Sequence, residues 1–257
     1  MPLYMDLHIL PGVKAKDVAE AHRRDLLVQD EHACTCMTYW IDEKRGNVFC
    51  LIDAPNKEAV EEMHGKAHGL VPNRIIEVNG SLVESFLGRI SDPDDAVENI
   101  DGLKVFHDTS FRILMVTSMA DIVLLEHRFG KEKAAAMHKR CYEMIRKNIA
   151  QYNGREAEHE GEVVVAAFSS AADAISCAIA MQQAVTTKEM KEVCIKTGIH
   201  AGEPVDKNEN IFQKHSCFFN SHYNLHRNKC KSILRMYFLC YLSNSQWGFT
   251  LRRKMLC

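Results

Sequence analysis

The order of hydrophobic periodicities in residues 2–80 constrains the fold of this chain most. Apolar and polar residues alternate over 3–9, Pro11-Gly12 ends that run, and a helical pattern follows over 15–29. Two extended runs follow, at 34–42 and 48–52, on either side of the turn residues 44–47. A second helix is predicted at 56–68 and a last strand at 74–78. The order β-α-β-β-α-β is that of a ferredoxin-like sandwich, so we expect an α+β fold with both helices on one sheet face.

The remaining residues divide into three stretches of different character. Residues 81–110 contain Asp92-Pro93-Asp94-Asp95, and clustered acids with proline are typical of a solvated linker. Residues 111–205 show a second α/β pattern, with strands near 113–117, 162–168 and 193–200 and helices near 131–152 and 171–185. Residues 206–257 are basic, hold four of the ten cysteines and lack clear periodicity. We therefore predict two domains, 1–80 and 111–205, a linker at 81–110 and a diverged tail at 206–257.

Composition limits the class of protein. Of 257 residues, 46% are hydrophobic and 26% charged, a balance typical of globular proteins with a buried core. The net charge of −2 argues against nucleic-acid and membrane partners, and neither a secretory signal nor a spanning segment is evident. These features predict a cytoplasmic protein whose cysteines are mostly thiols.

Histidines and one cysteine in the first module are candidate metal ligands. His64 and His68 are four residues apart on the second predicted helix, a spacing that places two imidazoles on one face. His8 shares a predicted strand face with Asp6, and His22 lies in line with Val18 and Leu26 on the first predicted helix. Cys50 alternates in step with the apolar residues of its strand, so we expect it to point inward. A single histidine or cysteine on an apolar face is more often core packing than a ligand. Spacing alone leaves both interpretations open.

Four sequence segments in this module carry a family resemblance. They are Met5-Asp6-Leu7-His8, Ala21-His22-Arg23-Arg24-Asp25-Leu26, Val48-Phe49-Cys50-Leu51 and Val60-Glu61-Glu62-Met63-His64. In this order they resemble the small ferredoxin-like family, formerly a domain of unknown function, with nickel-binding members in actinobacteria. The resemblance implies a homodimer that binds nickel, or zinc or copper, because imidazole and thiolate suit these ions. It nominates five ligands: His8, His22, Cys50, His64 and His68.

Residues 111–205 resemble part of a class III adenylate or guanylate cyclase domain. The matching segments are Gly154-Arg155-Glu156, the strand ending Ala166-Ala167-Phe168, the helix 171–183 and the run 197–205. That family holds two metal ions with two aspartates, which neutralise the charge developing on the reacting oxygens. The resemblance therefore implies either a working cyclase or a scaffold that has lost its catalysis.

The catalytic positions of this resemblance carry other residues. Ser118 stands at the first aspartate position and Glu162 at the second, while Glu158 replaces the lysine that reads the purine. Asp121 replaces the first aspartate only if the alignment is shifted. The family also has an Asn and an Arg that are expected after Val205. This sequence has Asn208, Asn210 and Arg227 there, but their spacing does not match that of the family. These losses predict a domain without catalysis.

Three functions remain as alternatives. The leading hypothesis is a non-enzymatic divalent metal-binding protein with a catalytically inactive cyclase-like domain. The second is a nucleotide cyclase-type enzyme or signalling protein acting on ATP or GTP. The third is an interaction protein in which the histidines pack in the core. Metal binding and cyclic-nucleotide formation distinguish the three.

Overall fold

The computed structural model divides the chain into two compact units, whose described residues lie in 1–111 for the first unit and in 112–203 and 238–240 for the second. The structure describes residues 1–93, 102–120, 122–160, 163–187, 190, 192–203 and 238–240. Among the described residues, no helix combines the length and the apolar character needed to cross a membrane.

The first unit begins with four strands and two α-helices in the predicted order, and a short 3-10 helix (Gln29–His32) follows the first α-helix. The strands and α-helices are β1 (Leu3–Ile9), α1 (Ala15–Val28), β2 (Thr35–Asp42), β3 (Asn47–Asp53), α2 (Lys57–Ala67) and β4 (Arg74–Val78). The strands form an antiparallel sheet in the order β2-β3-β1-β4. This topology confirms the ferredoxin-like fold predicted from the periodicities.

Both helices pack on one face of this sheet. Val18 and Ala19 of α1 and Val60 and Met63 of α2 lie in one buried cluster with the inward residues of β2 and β3. The predicted apolar face of α1 is partly wrong, because Leu26 is 42% exposed. Asp25, seven residues after Val18, takes its place on the buried face. A helix of 3.6 residues per turn brings i, i+4 and i+7 to one side.

The chain after β4 continues to contribute to the first unit. Helix α3 (Gly80–Leu87) is capped by the Asn79 side chain, which accepts a hydrogen bond from the amide of Leu82. Leu103 and Phe106 are buried in the core of the first unit. The domain boundaries stay a prediction, but the described residues within 81–110 make contacts typical of a folded element rather than of a solvated linker.

The turn between β2 and β3 requires glycine at residue 46. Gly46 has a φ of +68°, and a Cβ there would lie 2.8 Å from the carbonyl oxygen of Leu10 and 2.9 Å from Cα of Pro11. Gly12 also has a positive φ, +85°, but a Cβ there would meet nothing within 4 Å. A substitution at Gly12 therefore tests the effect of the left-handed backbone alone, and a substitution at Gly46 tests that effect together with a backbone clash.

We expect Gly46→Ala to destabilise the first unit by about 3 kcal/mol and Gly12→Ala by only about 1 kcal/mol. Both variants pay for a left-handed residue with a Cβ, but only the first forces Cβ against the main chain. Urea denaturation of the two variants measures the difference. Equal losses of stability would show that the contact with Leu10 and Pro11 relaxes without cost.

The second unit is built on a five-stranded sheet with the order β6-β7-β5-β8-β9. Its elements are β5 (Arg112–Ala120), α4 (Ile122–Phe129), α5 (Lys131–Gln151), β6 (Arg155–Glu160), β7 (Val163–Phe168), α6 (Ala171–Val185), β8 (Cys194–Gly202) and β9 (Phe238–Cys240). The pairs are antiparallel except β8 with β9. The three predicted strands and two predicted helices are present, while α4 and β6 were not predicted.

The tail prediction for 206–257 lies outside the described residues, apart from β9. The prediction of free thiols holds for Cys34, Cys36, Cys50, Cys141 and Cys177. Cys194 is disulfide-bonded and is the exception among these described cysteines.

Candidate metal centre

Three potential ligands lie on the two central strands of the first unit. Asp6 and His8 are two residues apart on β1, so both side chains point to the helix-covered face of the sheet. Cys50 on β3 is the register partner of Asp6 and shares that face. The Cys50 backbone amide donates to Asp6 Oδ1 at 3.1 Å. Strand register thus places a carboxylate, an imidazole and a thiol next to one another.

Helix α2 brings a fourth ligand onto this group. The helix begins after Asn56, whose side chain accepts from the amide of Ala59 and satisfies a free N–H of the first turn. His64, two turns further on, is 1% exposed and its Nε2 lies 2.8 Å from Asp6 Oδ2. The His64 and His8 rings meet edge to face, with centroids 5.0 Å apart.

The four side chains fit the requirements of a transition-metal ion. One ligand atom each of Asp6, His8, Cys50 and His64 lies within 4.8 Å of the other three. Two donors bonded to one ion at about 2.0–2.3 Å lie about 3.3–4.6 Å apart, depending on the angle between them. The 4.8 Å within which the four donor atoms lie is close to the upper end of this range. Two imidazoles and a thiolate favour nickel, copper or zinc over magnesium or calcium.

A second group of donors shares His64 with the first. His64 Nδ1 lies 3.0 Å from Asp25 Oδ1 and 3.1 Å from His68 Nε2. His68 Nε2 lies 3.1 Å from the same Asp25 oxygen. On its other side, His68 Nδ1 accepts a hydrogen bond from the backbone amide of Leu70 at 3.2 Å. His64 is therefore the residue at which both groups meet.

The five predicted ligands fall into three sets: those in the first donor group, one in the second group only, and one in neither. His8, Cys50 and His64 belong to the first group, and His68 joins His64 only in the second. His22 belongs to neither of the groups found among the described residues. Its Nε2 lies 3.2 Å from Asp92 Oδ2, and its ring packs 5.2 Å from that of Tyr39. Coordination by any of the five stays a prediction.

Burial and charge set the protonation of the site. Burial raises the pKa of Asp6, but neighbouring His8 and His64 outweigh it and hold the pKa below its usual range. Burial lowers the pKa of His64, but Asp6 and Asp25 reverse this and raise that pKa to about 10. Burial and then the Asp6 charge raise the pKa of the Cys50 thiol well above its usual value. Without metal at neutral pH, His64 and Cys50 therefore carry protons.

Sequence reasoning missed two carboxylates as functional residues, although signals for both were present. Asp6 lies between Tyr4 and His8 on the same inward face of β1, where an acid requires a partner. Asp25 lies one helical turn beyond His22 on the buried face of α1. A buried aspartate that faces histidines is the pattern that identifies both.

The second unit was predicted to lack the catalytic carboxylates. Ser118 is buried on β5 between Val163 of β7 and Lys196 of β8. Glu162 and Asp121 lie outside the described residues, as do Asn208, Asn210 and Arg227. Glu158 lies within β6. Both donor groups found in the described part of the chain belong to the first unit.

Comparison with known proteins identifies the class of the first unit. Residues 4–78 match the family model described as nickel responsive protein SCO4226-like. SCO4226 of Streptomyces coelicolor A3(2) is 31% identical, and the match covers 94% of that chain and 30% of this one, with a TM-score of 0.29. Through these residues the chain belongs to the SCO4226-like family.

Solved cyclases also match, at lower similarity. A bacterial light-regulated adenylyl cyclase is 14% identical with a TM-score of 0.34, and the adenylyl cyclase CyaB from P. aeruginosa is 16% identical with a TM-score of 0.33. Each match covers 36% of this chain, which spans 54% and 56% of the respective cyclases, about half their length. No curated protein matches the chain. Likeness at this level carries no argument about nucleotide chemistry.

Proposed function

We propose that the first unit binds one divalent ion, nickel or alternatively zinc or copper, through Asp6, His8, Cys50 and His64. The observation that carries this proposal is the convergence of two imidazoles, a thiol and a carboxylate from β1, β3 and α2 within 4.8 Å. The family name adds nickel as the first ion to test. The proposal retains three of the five predicted ligands and adds Asp6.

The proposed role is binding rather than catalysis. Four protein donors complete a tetrahedral shell, whereas catalytic sites keep a position for water or substrate. All four side chains are buried, so the site offers little access to a substrate. When bound, the ion would supply strong bonds that join β1, β3 and α2. The chain's own residues hold the donors in place and give up two protons, from His64 and Cys50.

For the second unit, the proposal is an inactive cyclase-like domain. It is supported by Ser118 in place of a metal-binding aspartate, because a hydroxyl is a poor substitute for a carboxylate at such a site. Incubation with ATP or GTP and Mn²⁺ tests it, and formation of cyclic nucleotide would overturn it. The homodimer, the cytoplasmic location and the absence of nucleic-acid and membrane partners stay predictions.

We expect the untagged protein, dialysed against nickel, to retain about one ion per chain and to show a sulfur-to-nickel charge-transfer band. Cys50→Ser should abolish the band, because it removes the proposed sulfur ligand. Elemental analysis and absorption spectroscopy measure both quantities.

Cys36→Ser is the matched control. Cys36 is also buried on the helix-covered face, but its thiol contacts Met63 Sδ at 3.5 Å and is in neither donor group. This variant should keep the ion and the band. Wild-type protein without bound nickel, zinc or copper would exclude the proposed function. A band that survives Cys50→Ser would exclude Cys50 as a ligand.

A further inference from the structure

The two nitrogens of His64 face different groups of donors. Nε2 faces Asp6, whereas Nδ1 faces Asp25 and His68. A neutral imidazole has one nitrogen with a proton and one with a free lone pair. One ion can therefore use His64 from one side only, and the proton on the other nitrogen must find an acceptor.

The contacts of His68 assign its proton. A backbone amide can only donate, so the Leu70 amide, 3.2 Å away, makes His68 Nδ1 an acceptor. In the neutral ring the proton then lies on Nε2, the atom 3.1 Å from Asp25 Oδ1. His68 Nε2 is thus a hydrogen-bond donor to Asp25. Metal binding through that nitrogen would place its proton on Nδ1, against the Leu70 N–H.

Asp25 also selects the tautomer of His64. Its Oδ1 lies 3.0 Å from His64 Nδ1 and accepts the proton of that nitrogen. Metal binding requires the neutral ring, in which the free lone pair is then on Nε2, the nitrogen that faces Asp6 in the first donor group. Metal-bound histidines commonly donate their other N–H to a carboxylate, which fixes ring orientation and tautomer. Asp25 occupies the place of such a carboxylate.

We propose that Asp25 is a positioning residue that directs His64 Nε2 to the metal, and that His68 supports Asp25 without binding the ion. This inference rests on the proposed function, since it needs an ion among Asp6, His8, Cys50 and His64. It departs from the prediction that His68 is a ligand. The i, i+4 pair of histidines on α2 then comprises one ligand and one supporting residue.

The test is X-ray absorption of the nickel-loaded full chain, which counts imidazole ligands. Wild type should show two imidazoles and one sulfur. His68→Ala should show the same set with affinity lowered about 10- to 100-fold, typical of losing an outer hydrogen-bond partner. His8→Ala, the matched control, should lose one imidazole.

Asp25 variants supply the second measurement. Asp25→Asn keeps an oxygen acceptor and should retain the nickel spectrum and more affinity than Asp25→Ala. An imidazole count that falls in His68→Ala would overturn the inference while leaving metal binding intact. Equal affinity of the two Asp25 variants would overturn the positioning role. A wild type without nickel would instead overturn the proposed function.

Discussion

His64→Ala is expected to lower the nickel affinity of the full chain by about a hundred- to a thousandfold. The binding free energy of a four-donor site is on the order of 10–16 kcal/mol, so each donor contributes about 3–4 kcal/mol. His64 is the donor that helix α2 brings to the two strands, and the described residues of its immediate group offer no second helical ligand. Competition titration with a chelator measures the change.

The matched control is His22→Ala. His22 was also predicted as a ligand and is buried on a helix, but its nitrogen is next to Asp92 rather than the donor group. We expect its affinity to stay within about threefold of wild type, since no donor is lost. Circular dichroism shows whether each variant remains folded. An equal loss in both variants would contradict the proposed ligand set.

The topology of the first unit was predictable because each element has an independent local signal. Pro11-Gly12 ends β1, and Asn56 caps α2 as the sequence indicated. With four strands and two helices recognised in order, and a hairpin turn at Gly46, the rules for connecting elements leave few possible topologies. The extent of the unit was harder to predict. Leu103 and Phe106 join its core from a segment whose proline and acids indicated a linker.

The site was predictable only where it depends on local spacing along one element. Spacing showed that His64 and His68 share a helix face, but it could not show which nitrogen faces which partner. That choice depends on the Leu70 amide and on Asp25, which come from a loop and another helix. His22 illustrates the same limit. Its helix position resembles that of a ligand, yet its partner, Asp92, is 70 residues away.

The pH dependence of stability is expected to change sign when metal binds. In the metal-free protein the His64 pKa, about 10, is above its ordinary value of 6.5. The folded state therefore holds a proton that the unfolded chain loses, so this stabilisation is complete below about pH 6.5 and is lost as pH rises toward 10. The expected loss is about 1.4 kcal/mol per pH unit between these limits. The raised pKa of Cys50 acts in the same direction.

In the loaded protein the ion replaces the protons of His64 and Cys50. The folded state then holds fewer protons than the unfolded chain near pH 6–7, so stability should rise with pH in this range. Urea denaturation at pH 6, 7, 8 and 9, with and without nickel, measures both slopes. Trp40 is buried in the first unit and reports its unfolding once Trp247 is replaced by phenylalanine.

Asp6→Asn provides the control for the metal-free slope. The Asp6 charge is the largest influence that raises the pKa of His64, so stability should become less dependent on pH above 7 once this charge is removed. The same variant should bind nickel weakly, because an amide oxygen is a poorer donor than a carboxylate. A metal-free wild type whose stability is constant from pH 7 to 9 would show that His64 is not held protonated by Asp6 and Asp25. Parallel slopes with and without nickel would show that the ion does not replace the proton of His64.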